Sequence, residues 1–246
     1  MVSQENVLFE VRGQTGIVRL NNPPQNSLAK PEFVPLNHLQ NWIYYSHLKG
    51  LLITGAGRHF SSGAEIDGIF SEGFQEHAEQ EMQKGKELLA FISLLEIPVF
   101  CAVKGVCFGG GLEIALACHY RVADPRALFA FPEVNHGLMP GLGGTQLVSE
   151  TMSAMDALKM LLGGDMVNAE EALKMKLIDG LAEDPENFSV QLLKKMTEDR
   201  PLKVINSIMK AIHNTTRLSR EQALKEETRM FCELARQEGL RRRSSE

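Results

Sequence analysis

Three consecutive glycines, Gly109-Gly110-Gly111, stand between an apolar run ending in Phe108 and a helical apolar pattern opening with Leu112-Glu113, and no other stretch limits so strongly what this chain can become. A glycine triplet lets backbone N–H groups approach another group with no Cβ in the way. The first turn of the following helix adds N–H groups without intrahelical partners and the positive end of the helix dipole. Such a turn is suited to hold an oxyanion, and it would place Glu113 one turn inside the helix. Read alone, the same residues also describe no more than a tight turn before a helix, because an acidic residue in the first turn is favoured by the dipole in any case.

A second segment adds to this. Ala127 to Phe131 reads as a short buried strand, stopped by Pro132 with Glu133 just beyond its end. It is followed by Gly137-Leu138-Met139-Pro140-Gly141-Leu142-Gly143-Gly144-Thr145, another glycine-rich loop running into a helix. Two isolated carboxylates, each beside such a loop, are what acid/base chemistry on one reacting centre needs, one as base toward a water and one as proton donor. A third segment, Gly57-Arg58-His59-Phe60-Ser61-Ser62-Gly63-Ala64-Glu65-Ile66-Asp67, follows the apolar strand Leu51 to Thr54.

Together and in this order, the three segments resemble the crotonase (enoyl-CoA hydratase/isomerase) superfamily, over about Val7 to Gly239. The resemblance implies an α/β protein of the crotonase (ClpP-like) fold, a spiral of ββα turns over residues 1–190 followed by a helical region, 191–246, used for assembly as a homotrimer or hexamer. It makes the N–H groups of Ala64 and Gly110 the oxyanion-hole donors to a thioester carbonyl, and Glu113 and Glu133 the catalytic pair that holds one water. Ser62, Gly63, Ile66, Gly109, Pro132 and Gly141 would line the substrate site. The implied reaction is addition of water to a 2-enoyl thioester, or its removal from a 3-hydroxyacyl thioester, carried by coenzyme A or an acyl carrier protein. Coenzyme A is then part of the substrate, and neither a metal nor a separate cofactor is implied. Two alternatives share these residues: an isomerase or decarboxylase of the same superfamily, and a non-catalytic subunit that binds acyl thioesters. Asp67 departs from the pattern, since some hydratases carry a lysine there that helps to bind the CoA phosphates.

Competing sites are poorly supported. The seven histidines show no H-E-x-x-H or paired metal spacing. Gly141-Leu142-Gly143-Gly144 is not a dinucleotide fingerprint, and no G-x-S-x-G elbow accompanies Ser61 and Ser62. A net charge of −5 argues against a general nucleic-acid surface, and the one compact basic run, Arg241-Arg242-Arg243, reads as a solvated tail. The four cysteines form no C-x-x-C pair and read as reduced, mostly buried thiols. Met1 to Arg12 lacks the features of a leader, and no apolar run is long enough to span a membrane, so a soluble, cytoplasmic protein is expected.

Periodicity predicts a hairpin from Val7–Val11 and Ile17–Leu20, buried strands at Leu51–Thr54 and Val99–Val103, and helices at Leu36–Tyr45 and Glu76–Leu95. Further helices are predicted at Leu112–Cys118, Thr145–Ser149, Ala154–Leu162, Asn168–Met175, Phe188–Glu198, Leu202–His213 and Arg220–Gln237.

Overall fold

The computed structural model describes residues 6–243. Residues 1–5, on which part of the reading of the N-terminus rests, and residues 244–246 lie outside the described residues.

The first sheet begins with the expected hairpin, β1 (Val7–Arg12) antiparallel to β2 (Thr15–Leu20). It continues in parallel through β3 (Gly50–Gly55), β4 (Val99–Val103), β6 (Tyr120–Ala123) and β9 (Gly180–Leu181). The unbroken apolar runs of β3 and β4 are explained by burial on both faces, as expected of parallel strands. Leu51, Ile53, Val99, Cys101 and Val103 enter the main core, while Leu52, Phe100 and Ala102 point the other way onto Leu193 of α9 (Pro185–Thr197). Burying each large aliphatic side chain of this kind is worth about 1.5–3 kcal/mol relative to leaving it exposed.

A second, smaller sheet joins β5 (Val106–Phe108) in parallel to β7 (Leu128–Ala130), with β8 (Val167–Asn168) antiparallel beyond it. Parallel bridges Ser61↔Cys107 and Leu28↔Ala64 carry this pairing onward to two preceding segments. The chain therefore repeats one move. From β3 it passes to the Ser61 segment and on to the helices α2 (Ile66–Ile69), α3 (Glu72–Gln75) and α4 (Ala78–Ser93). From β4 it passes to β5 and α5 (Gly110–Leu116), and from β6 to β7, a 3₁₀ turn (Pro132–His136) and α6 (Gly144–Thr151). These are the ββα turns the resemblance implied. Helix α1 (Leu36–Tyr45) closes the earlier turn that leaves β2.

The remaining helices are α7 (Ala154–Leu158), α8 (Ala169–Lys174), α10 (Leu202–Arg217) and α11 (Arg220–Arg243). Asn168 and Glu171 form the expected capping box at the start of α8. The stretch expected as one helix from Glu76 to Leu95 is α4, with the short α3 ending just before it at Gln75, and Ala154–Leu162 is α7 followed by a π-helical turn, Lys159–Gly163. Helix α9 starts earlier than its apolar pattern, because Asp184 caps it and Pro185 occupies its first position. It also runs through residue 190, the expected end of the core. Arg241 to Arg243 are not a free tail. They form the last turn of α11, where their charge suits the dipole, and Arg241 and Arg242 pair with Glu238. Only Met230 of α11 is buried, while Leu224, Phe231 and Leu240 are exposed.

A histidine pair ties α10 to the core. The Val99 N–H donates to Nδ1 of His119 at 2.9 Å, which leaves that ring's proton on Nε2. Nε2 lies 3.1 Å from Ser93 O and 3.3 Å from Nε2 of His213, so the His213 nitrogen is the unprotonated acceptor. Burial lowers the pKa of both rings. At His119 the His213 and Arg121 charges reinforce burial; at His213 Arg217 does so and Glu96 opposes it. A histidine with a lowered native pKa takes up its proton more readily when unfolded. The pair's stabilisation is therefore complete above the unfolded pKa of about 6.5 and lost as pH falls. Acidification from about pH 8 to about pH 5.5 is expected to lower Tm more in the wild type than in His213→Gln. Equal acid sensitivity in thermal melts of the two proteins would show that the pair does not anchor α10.

Candidate active site

Three neighbouring segments of the second sheet run parallel, so their C-terminal ends reach one edge together. The Ser61 segment leads to Ala64, β5 leads to Gly110 and β7 leads to Glu133. Residues far apart in the chain meet there because parallel strands deliver their succeeding residues to the same end.

Helix α5 is buried all round from Gly111 to Leu116, Glu113 included at 2% exposure. Its carboxylate is held by the glycine-rich loop: Oε1 accepts the N–H groups of Leu142 and Gly144, both at 2.7 Å. Burial raises the Glu113 pKa to about 7, with Glu133 adding to the rise and the two N–H donors and Lys86 opposing it. Oε1 accepts these bonds in either protonation state, so the carboxyl proton belongs on Oε2, the oxygen nearer Gly110.

Glu133 stands in the first turn of the 3₁₀ segment, where Pro132 ends the strand. Burial raises its pKa as well, and its Oε2 is buried with no partner among the described residues. Gly109 lies against this carboxylate. It has φ +49°, and a Cβ there would come within 2.8 Å of Glu133 Oε1. Both the backbone conformation and the approach of the acid therefore require glycine. A Cβ on the next residue, Gly110, would lie 4.0 Å from Glu113 Oε2. The two carboxyls thus both lie near the peptide that carries the Gly110 N–H.

That N–H begins α5 and donates to no group among the described residues, while the Gly109 N–H is taken by Ala130 O at 3.0 Å. Ala64 is alike. The Gly63 N–H donates to Ser61 Oγ and the Glu65 N–H to Leu28 O, but the exposed Ala64 N–H between them has no acceptor among the described residues. Gly63 brings the two donors together, with φ +86° and a Cβ position 3.4 Å from the Gly110 nitrogen. Two free N–H groups beside one buried and one half-buried carboxyl can polarise a carbonyl and move a proton at the adjacent carbons.

Of the other expected lining residues, Ser62 donates its N–H to Gln25 O, and Ile66 opens α2. The methyl of Met82 rests on Gly141. Sequence reasoning missed the Leu142 and Gly144 N–H groups as the hold on Glu113, although Gly143-Gly144 before a helix is the pattern that signals free backbone donors. It also missed Asn26. This side chain is buried at φ +52° and bonds Ala56 O and His59 O, which fixes the loop after β2 against the loop after β3. Asp67 is exposed in the first turn of α2, and Lys30 lines a depression of about 160 Å³ beside Leu28.

A spiral of ββα turns whose strand ends oppose two N–H groups to two carboxyls defines a protein of crotonase fold. The chain belongs to the enoyl-CoA hydratase/isomerase family, whose model matches residues 12–245. Among solved structures it is similar to DspI of Pseudomonas aeruginosa, with 27% identity, 95% of this chain and 97% of that one covered, and a TM-score of 0.86. An enoyl-CoA hydratase from Thermoplasma volcanium GSS1 is 26% identical over 94% of this chain and 92% of that one, with a TM-score of 0.82. A peroxisomal bifunctional enzyme of Pongo abelii is 35% identical over 159 residues, 63% of this chain. The match spans only 21% of that relative's length. No helix among the described residues is long and apolar enough to cross a membrane.

Proposed function

We propose that the protein hydrates 2-enoyl thioesters of coenzyme A, or dehydrates the 3-hydroxyacyl product, with Glu113 and Glu133 as the acid/base pair. The observation that carries this reading is the pair of carboxyls, both with raised pKa, close to the adjacent residues Gly109 and Gly110. Ala64 and Gly110 bind the thioester oxygen, which gains negative charge as water adds. One carboxylate takes a proton from the water while the water oxygen bonds to C3, and the other, protonated, carboxyl gives its proton to C2. Like-charge coupling suits this division, because the pair then carries one proton near neutral pH, and its two apparent pKa values belong to the pair.

Screening crotonyl-CoA and branched or longer enoyl-CoA esters for loss of enone absorbance tests the proposal. Double-bond migration or CO₂ release in place of a 3-hydroxyacyl product would replace it with an isomerase or decarboxylase, and binding without turnover would leave a silent subunit. The pH profile is a further prediction. With both carboxylates ionised no proton remains for C2, so kcat/KM is expected to fall about tenfold per pH unit above the pair's upper pKa. Burial raises both carboxyls, Glu113 to about 7, so the limb is expected above the ordinary carboxylate range. A rate flat from about pH 6 to about pH 9 would exclude a shared proton between the two glutamates.

Lys30, beside Leu28, supports a phosphorylated carrier, while the Asp67 carboxylate works against one. The exposed apolar residues of α10 and α11, Ile208, Ile212, Leu224 and Phe231, support homotrimers or hexamers built on the C-terminal helices. A cytoplasmic location belongs to the same proposal, while the Pongo abelii relative is named as peroxisomal.

A further inference from the structure

Glu65 follows the oxyanion donor Ala64, and its side chain turns back across the chain onto the loop after β2. Its Oε1 accepts from Ser27 Oγ at 2.9 Å and from Asn22 Nδ2 at 3.3 Å. Asn22 Nδ2 also lies 3.1 Å from Ser27 Oγ and 3.0 Å from Ser27 O, so its two hydrogens are shared among three oxygens. The one hydroxyl proton of Ser27 goes to Glu65 and its lone pair receives Asn22, so the three side chains close a ring of hydrogen bonds.

The next residue, Leu28, grips the main chain on both sides of Ala64. Its N–H donates to Gly63 O at 2.8 Å and its carbonyl accepts the Glu65 N–H at 3.3 Å. In a parallel bridge of this pattern the residue between the two bonds turns its own N–H away from the partner, and here that residue is Ala64. The direction of the Ala64 N–H is thus set by how firmly Ser27-Leu28 is held to Gly63-Ala64-Glu65. Glu65 is not needed to start α2: it stands at the N-cap position, but its side chain makes no capping bond.

We propose that Glu65 is a positioning residue, which through Ser27 and Asn22 aims the Ala64 N–H at the thioester oxygen. This rests on the oxyanion-hole part of the reading above, and not on hydration itself. The test compares Glu65→Ala, Glu65→Gln and Ser27→Ala by thermal melting, by kcat and KM on crotonyl-CoA, and by the spectrum of bound cinnamoyl-CoA. The absorption of that thioester moves to longer wavelength as its carbonyl is polarised.

Glu65→Ala is expected to lower kcat by about 10- to 100-fold, the effect of a small misplacement of a catalytic group. KM should stay within about twofold, Tm should be little changed, and the red shift should shrink. Glu65→Gln keeps an acceptor for Ser27 and is expected to stay near wild type, whereas Ser27→Ala should match Glu65→Ala, and the double variant should be no worse than either. Wild-type kcat and red shift in Glu65→Ala would overturn the proposal. Glu65→Gln as impaired as Glu65→Ala would overturn it too, since the charge itself would then be acting. A wild type that shifts the spectrum without hydrating crotonyl-CoA refutes the hydratase reading and leaves the role of Glu65 to be read from the shift. A wild type with no shift refutes the oxyanion hole and the role of Glu65 with it, whether or not crotonyl-CoA is hydrated.

Discussion

Glu113→Gln and Glu133→Gln are each expected to lower kcat for hydration by about 10²–10⁴, the usual worth of a general acid or base. Neither change should prevent folding. Glutamine keeps a carbonyl oxygen for the Leu142 and Gly144 N–H groups that now meet Glu113 Oε1, and Glu133 is bonded to no other side chain among the described residues. In the proposed mechanism the two residues act on one water, so the double variant should lose far less than the product of the single losses. Stability should move in the opposite sense to activity at Glu113. Its carboxyl has a pKa raised from 4.5 to about 7, so its contribution to stability is complete below about 4.5 and is lost as pH rises through about 7. Glutamine resembles the neutral form at every pH, and Glu113→Gln is expected to melt above the wild type at about pH 8. Near wild-type hydration in either single variant would remove the two-carboxylate mechanism.

The proposed oxyanion hole allows a second test of comparable size, because one donor can be deleted at a position that tolerates proline. Gly110 is the first residue of α5, where a missing N–H costs the helix nothing and proline's fixed φ is suitable. Gly110→Pro is expected to cost about 3 kcal/mol of transition-state stabilisation, on the order of 10²-fold in kcat. Gly110→Ala is the control. It keeps the N–H, and its Cβ would lie 3.2 Å from Leu28 Cδ1, the mobile end of a side chain that can yield. Low activity in a folded proline variant, with the alanine variant close to wild type, is the expected pattern. Full activity in a folded Gly110→Pro enzyme would mean that the thioester oxygen binds elsewhere.

Much of the site was legible in the sequence because its chemistry needs residue types that stand out locally. A glycine triplet before a helix, an acid just past a proline-stopped strand and a second glycine-rich loop are visible without any partner, and Glu113 and Glu133 were read from them as candidates, while the choice of Gly110 and Ala64 as donors came with the family resemblance. The long elements were legible for a similar reason: β3, β4 and α4 carry enough apolar residues to show a period. The strands β5, β6, β8 and β9, of two to four residues each, are too short to show one. The Asn22–Ser27–Glu65 ring was not legible, because its members are ordinary polar residues in loops and only their meeting across 43 positions gives them a role.

Local residue types fix which groups could do chemistry here: where the backbone is bare of Cβ, which acids stand apart from other charges, and which runs must be buried. Tertiary structure alone decided that these groups meet and in which direction the N–H groups point. Parallel pairing brings Ala64, Gly110 and Glu133 to one edge, and the fold around α5 supplies the burial that raises Glu113. The physical reason is that a backbone N–H is the same in every residue except proline. Its direction is set by the strand it does or does not pair with, and the pKa of a carboxyl is set by the solvent that distant segments exclude.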